Sequence, residues 1–141
     1  MIEFAIVLPA LLLLFASATE MGRMFYTYTT LQKSTEGAAR YLSSVQAPTG
    51  TFASADINTA TNMVVCGRPA SCSGQTPIVN GLQAGNVTIT SPGVGVGLRY
   101  VTVTVNYAYT PLVFNLGAMT GSQNLSLNFT FTPRIKMRYM L

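Results

Sequence analysis

The stretch FAIVLPALLLLFASAT, from Phe4 to Thr19, contains no charged side chain. About 20 apolar residues cross a bilayer core at 1.5 Å per residue, so this run completes a crossing only with Met1–Ile2 or the turn after Glu20. No basic segment precedes it, and the helical pattern runs on without a break, which argues against a cleaved secretory signal. A retained apolar helix is the element around which the rest of the chain must be arranged. Pro9 lies inside it, cannot donate a backbone hydrogen bond and crowds the preceding turn, which predicts a kink or local melting near Ala5–Pro9.

Glu3 is the anomaly beside this run. As a first-turn acid at a water interface it would complement the helix dipole. Buried among packed helices it would instead need a partner, because an ionised carboxylate in hydrocarbon costs several kcal/mol unless it is paired. The α-amino group of its own chain or of a neighbouring copy is the nearest such partner. A neighbour's amine would make Glu3 a register device, since one axial stagger alone satisfies it.

Beyond the run, Met21, Phe25, Tyr28, Leu31, Thr35, Ala38 and Leu42 recur at three- and four-residue steps, forming one stripe on a continuing helix. Glu36 and Arg40 are an i,i+4 pair in the favourable order. Pro48 disfavours helix at Ala47, so the helix should end near Ser43–Gln46. A helix from Ile2 to Ser44 would be on the order of 60 Å long. The expected organisation is a long amino-terminal helix over residues 1–46, apolar through 25 and amphipathic over 26–46. A β-rich head over residues 47–141, with a short helix and a disulfide loop, would follow.

In the head, SADINTATNMVVCG places Ile57, Ala60, Met63 and Val64 at helical spacing, with Ser54 as the expected cap. Cys66 and Cys72 follow, flanked by Gly67, Pro69 and Gly74. Their closeness suits a loop-closing disulfide in an oxidising compartment. NVTIT is a short strand. RYVTVTVNYAY alternates Val101, Val103, Val105, Tyr107 and Tyr109 against polar or small residues. LSLNFTFT alternates Leu125, Leu127, Phe129 and Phe131 in the same way, and after Pro133 the pattern resumes with Ile135, Met137 and Tyr139. Antiparallel pairing of these two long strands is the simplest topology. The helical stripe from Phe25 to Leu42 is the expected cover for their apolar faces, giving an α+β fold with a small head of antiparallel strands.

Composition excludes several functions. Only 9% of residues are charged, there is no His, and Asp and Glu total four against eight Lys and Arg. Acid–base pairs and metal clusters are hard to assemble from such a set, so no catalytic residue, metal site or cofactor is expected. The glycines of SPGVGVGLR lack the Lys and Ser/Thr of a phosphate loop. Arg134, Lys136 and Arg138 are spaced for one exposed strand face rather than for reading phosphates, and no nucleic-acid partner is expected.

IEFAIVLPALLLLFASATEMGRMFY, followed by AARY, resembles the amino-terminal segment of TadE-like pilins and pseudopilins of the tight-adherence branch of type IV pili. The resemblance rests on Ile2, Glu3, Phe4, Ala5, Leu8, Pro9, Glu20, Gly22, Arg23 and Ala38–Tyr41. The closing strands around TPLVFNLG and TPRIKMRY look like those of the same family. The resemblance implies a leader removed by a prepilin peptidase, with the glutamate a few residues after the cut. The mature amino terminus is then either Met1, at shortened spacing, or further upstream. It also implies a subunit held in the bacterial inner membrane and then moved by a pilus assembly machinery into an extracellular filament of identical copies. Glu3 would set register, and Phe4, Leu8, Pro9, Leu11, Leu12, Leu13, Leu14 and Phe15 would pack the helical core. The competing expectation is a minor pseudopilin, or a single-pass scaffold with an extracytoplasmic head, that forms no fibre by itself. An anchored enzyme is the weakest of the three.

Overall fold

The computed structural model describes residues 2–45, 50–91, 100–111 and 128–140. Helix α1 spans Ile2–Ser44 and α2 spans Ser54–Cys66. Among the described residues five strands follow: β1 Val87–Thr90, β2 Tyr100–Val105, β3 Tyr107–Tyr109, β4 Phe129–Phe131 and β5 Arg134–Arg138. The class is α+β, as the patterning predicts. The chain forms two compact units. One comprises Met1–Thr27 with Ala108–Thr130, the other Tyr28–Tyr107 with Phe131–Leu141.

The expected stop of α1 near Ser43 is borne out. The melting expected around Pro9 is not, because the helix runs unbroken through it. Within the second unit α1 buries Leu31, Thr35, Ala38, Ala39 and Leu42 completely. These residues share one face at three- and four-residue steps. The buried Thr35 donates its hydroxyl hydrogen to the Leu31 carbonyl at 2.6 Å, so no polar atom is left wanting there. The stripe fails at its beginning. Met21 and Phe25 are more than half exposed, because both belong to the first unit, with the apolar part of the helix.

Strand β2 is central in a three-stranded antiparallel sheet of order β1-β2-β5. The register puts Ile89, Val103 and Ile135 in one row and Val101 opposite Met137, all on one face. Val101, Val103 and Val105 are fully buried. The other face carries Thr88, Thr104 and Arg134 in one row and Thr90, Thr102 and Lys136 in the next. Tyr100 lies opposite Arg138. Strands β3 and β4 form a separate two-stranded sheet. Each of the two long strands expected from sequence is therefore divided. The break in one falls at Pro133, which has no N–H for the ladder, although its carbonyl still accepts from the Val105 N–H at 3.1 Å. Asn106 interrupts the other and donates its N–H to the Asn86 carbonyl at 2.8 Å. The expected residues Leu125 and Leu127 lie outside the described residues.

Helix α2 starts one residue from the expected cap. Ala53 is the N-cap, with no side-chain bond, and its carbonyl accepts from the N–H groups of Asp56 and Ile57. Asp56 places a negative charge in the first turn, where the helix dipole favours it. The helix ends at Gly67, whose φ of 68° lies in the left-handed region that costs Gly least. Cys66 and Cys72 form a disulfide that closes the loop immediately after it. Closing contacts in this unit come from Tyr139, whose hydroxyl donates to the Val45 carbonyl at 2.7 Å and whose ring meets Phe52 edge-on. Tyr28 meets Phe131 in the same way.

Candidate functional site

The first unit is dominated by the apolar part of α1, and the sequence dictates its character. Phe4, Leu8, Leu11, Leu12, Leu13, Leu14 and Phe15 are all between 45% and 75% exposed, and Pro9 is exposed among them. Leu11–Leu14 cover more than a full turn of helix, so no face of this segment is polar. A helix apolar all round is stable only against lipid or against other apolar helices. By length and composition α1 can cross a membrane. Its few polar side chains are internally satisfied: Ser17 Oγ donates to the Leu13 carbonyl at 2.7 Å and Thr19 Oγ1 to the Ala16 carbonyl at 2.8 Å. Neither hydroxyl presents an unpaired donor to an apolar surrounding.

Glu3 stands exposed in the first turn of this helix. The other three carboxylates are engaged. Glu36 pairs with Arg40, as their spacing predicts, and Asp56 accepts from the Tyr41 hydroxyl at 3.2 Å.

Glu20 is held by an arrangement that the sequence did not announce. The Tyr109 hydroxyl donates to Glu20 Oε1 at 2.5 Å and accepts from Arg23 Nε at 3.0 Å. Arg23 Nη2 donates to the Thr110 carbonyl at 2.8 Å and lies 3.3 Å from Glu20 Oε1. The guanidinium carbon is 5.2 Å from the centre of the Tyr109 ring. Glu20 and Tyr109 are buried. A carboxylate and a guanidinium at the end of an apolar helix are thus neutralised by each other and by the end of β3. Loss of water pushes the Tyr109 hydroxyl above its ordinary pKa, and its bond to Glu20 pushes it further. It stays protonated and donating at neutral pH.

The signal that could have revealed this clamp was an i,i+3 acid–base pair, Glu20 and Arg23, in an otherwise apolar helix. Charges so placed require polar partners. Its third member, Tyr109, was visible only as an inward residue of an alternating strand. Glu3 and Phe4–Phe15 lie along α1, whereas Cys66 and Cys72 lie in the other unit. Among the described residues no cluster of His, Cys, Asp and Glu could hold a metal.

Among the described residues one helix is long and apolar enough, by length and composition, to cross a membrane, and the class this defines is an α+β chain with a membrane-grade amino-terminal helix. The family model described as TadE-like protein matches residues 1–40, the segment that holds Glu3, the apolar run and the Glu20–Arg23 pair. This is the family that the sequence motifs resemble, and it points to a component associated with Tad pili. Comparison with curated proteins gives no match, nor does comparison with solved structures.

Proposed function

We propose that the chain is a structural, pilin-like subunit that assembles through the apolar part of α1 into a Tad-type pilus filament. The observation that carries this reading is the exposure of Phe4, Ile6, Val7, Leu8 and Leu11–Phe15, on every side of the helix, directly behind an unburied Glu3, in the segment matched by the TadE-like family. A single apolar stripe would need one partner. A helix apolar on every face suits several neighbours at once, which is the environment in a helical bundle of copies. Glu3 is exposed while the three other carboxylates have partners within the chain. A neighbour's amino group pairing with Glu3 would fix one axial stagger between copies.

On this reading the helix rests in the bacterial inner membrane before assembly. A prepilin peptidase and the pilus machinery then act on it, and the mature copies leave as a surface filament held by head-to-tail contacts that do not close. The chain has no catalytic role. The same exposed helix also suits a minor pseudopilin or an anchored scaffold whose partners are other pilins.

The test is Glu3→Ala in cells that produce filaments from the wild-type chain. Membrane insertion should be unchanged and filaments should vanish from sheared fractions. A normal filament yield would remove Glu3 from the mechanism.

A further inference from the structure

We infer that the outward face of the β1-β2-β5 sheet is a binding surface for a linear acidic polysaccharide. Arg134, Lys136 and Arg138 project from the same side of β5 and all three are exposed. Alternate residues of an antiparallel strand stand about 6.8 Å apart, so β5 presents an evenly spaced row of three cations. Beside them lie the threonine rows, Thr88–Thr104 next to Arg134 and Thr90–Thr102 next to Lys136; Thr88 and Thr90 are exposed, Thr104 is half-buried and Thr102 is buried. Lys136 Nζ is held 4.2 Å above the centre of the Tyr100 ring, which fixes the middle charge of the row.

Among the described residues no ion pair engages these cations. The ion pairs among the described residues are Arg23 with Glu20 and Arg40 with Glu36. Asp56 already accepts from the Tyr41 hydroxyl. With four Asp and Glu against eight Lys and Arg, a second copy of this chain offers few acids to receive the row. The complementary partner is an external polyanion.

The rest of the face selects among polyanions. The apolar residues of β5, Ile135 and Met137, point to the opposite side with Val101 and Val103, so among the described residues this face carries no aliphatic side chain to enter a lipid layer. Among the described residues its one aromatic ring is Tyr100, and Lys136 already stands over that ring, which leaves a poor platform for the stacked bases that hold single-stranded nucleic acid. What remains is a row of regularly spaced charge on β5 with the exposed hydroxyl groups of Thr88 and Thr90 on the far strand of the same face. That pattern matches a polymer carrying both carboxylates and hydroxyls along its length.

This inference stands apart from the filament reading, and its test does not require filaments. The full chain in non-ionic detergent is passed over immobilised polygalacturonate, neutral dextran and duplex DNA. The wild type should be retained on polygalacturonate and not on dextran. Replacing Arg134, Lys136 and Arg138 together by Gln should weaken retention about tenfold, since exposed pairs contribute a fraction of a kcal/mol to about 1 kcal/mol each. Replacing Lys33, Arg40 and Arg68 by Gln, an equal change in net charge elsewhere, should leave it within about twofold. Lys136→Arg should retain binding, and it guards against a folding defect in the triple variant. Equal losses from both triple variants, absence of retention, or tighter binding to DNA than to polygalacturonate would each overturn the assignment.

Discussion

Tyr109→Phe is the sharpest probe of how the apolar helix ends. The substitution removes one oxygen and keeps the ring. That oxygen donates to Glu20 at 2.5 Å and accepts from Arg23 at 3.0 Å. Hydrogen bonds to charged groups contribute about 1.5–3 kcal/mol each. Both charged partners keep something: Glu20 Oε1 remains 3.3 Å from Arg23, and Arg23 keeps the Thr110 carbonyl at 2.8 Å. The combined loss should therefore sit near the low end, about 2 kcal/mol, which corresponds to a fall of about 5–10 °C in Tm. Unfolding of the full chain in non-ionic detergent, followed by near-ultraviolet circular dichroism, measures it; the chain has seven Tyr and no Trp. Combining Tyr109→Phe with Arg23→Gln should give less than the sum of the two losses, by about 0.5 kcal/mol or more. The clamp also has an alkaline signature. Folding raises the Tyr109 pKa above 10.0, so the folded state holds this proton more tightly than the unfolded one. That stability is complete below the unfolded pKa and is lost as pH rises through the folded value. Above pH 10 the wild type should lose stability faster than Tyr109→Phe. A loss below about 0.5 kcal/mol, with additive double substitution and identical alkaline slopes, would refute the clamp.

Two further perturbations test the head. Val103→Ala, in the fully buried row between Ile89 and Ile135, should cost about 2–3 kcal/mol in the same unfolding assay. Intact mass after alkylation under non-reducing conditions should show no added thiol label, because Cys66 and Cys72 are bonded to each other. Replacing both by Ser should cost at most about 2–3 kcal/mol, the loop being short.

The elements formed by local rules were legible in the sequence. The apolar run, the stripe from Leu31 to Leu42 and the Pro48 stop define α1 with no help from the rest of the chain. The inward positions from Val101 to Tyr109 are all buried, as the alternation predicts, even where Asn106 interrupts the ladder, although Thr102 between them is buried as well. What was not legible depends on pairing between distant segments. Period two places Tyr109 inward, yet only the fold brings it to Glu20, 89 residues away. The missing N–H of Pro133 was visible, but its consequence appears only once Val105 lies opposite it. The exposure of Met21 and Phe25 shows the limit of a periodic stripe. Spacing says that two residues share a helix face, not how far along the helix that face stays covered.

Electron microscopy of purified full-length chain, released from detergent, bears most directly on the role of the apolar helix. Self-assembly through Phe4–Phe15 should yield fibres whose reconstructed cores are bundled α1 helices, with Glu3 of each copy beside a neighbour's amino terminus. Dispersed single copies whose leading helices remain in detergent or bilayer would contradict it.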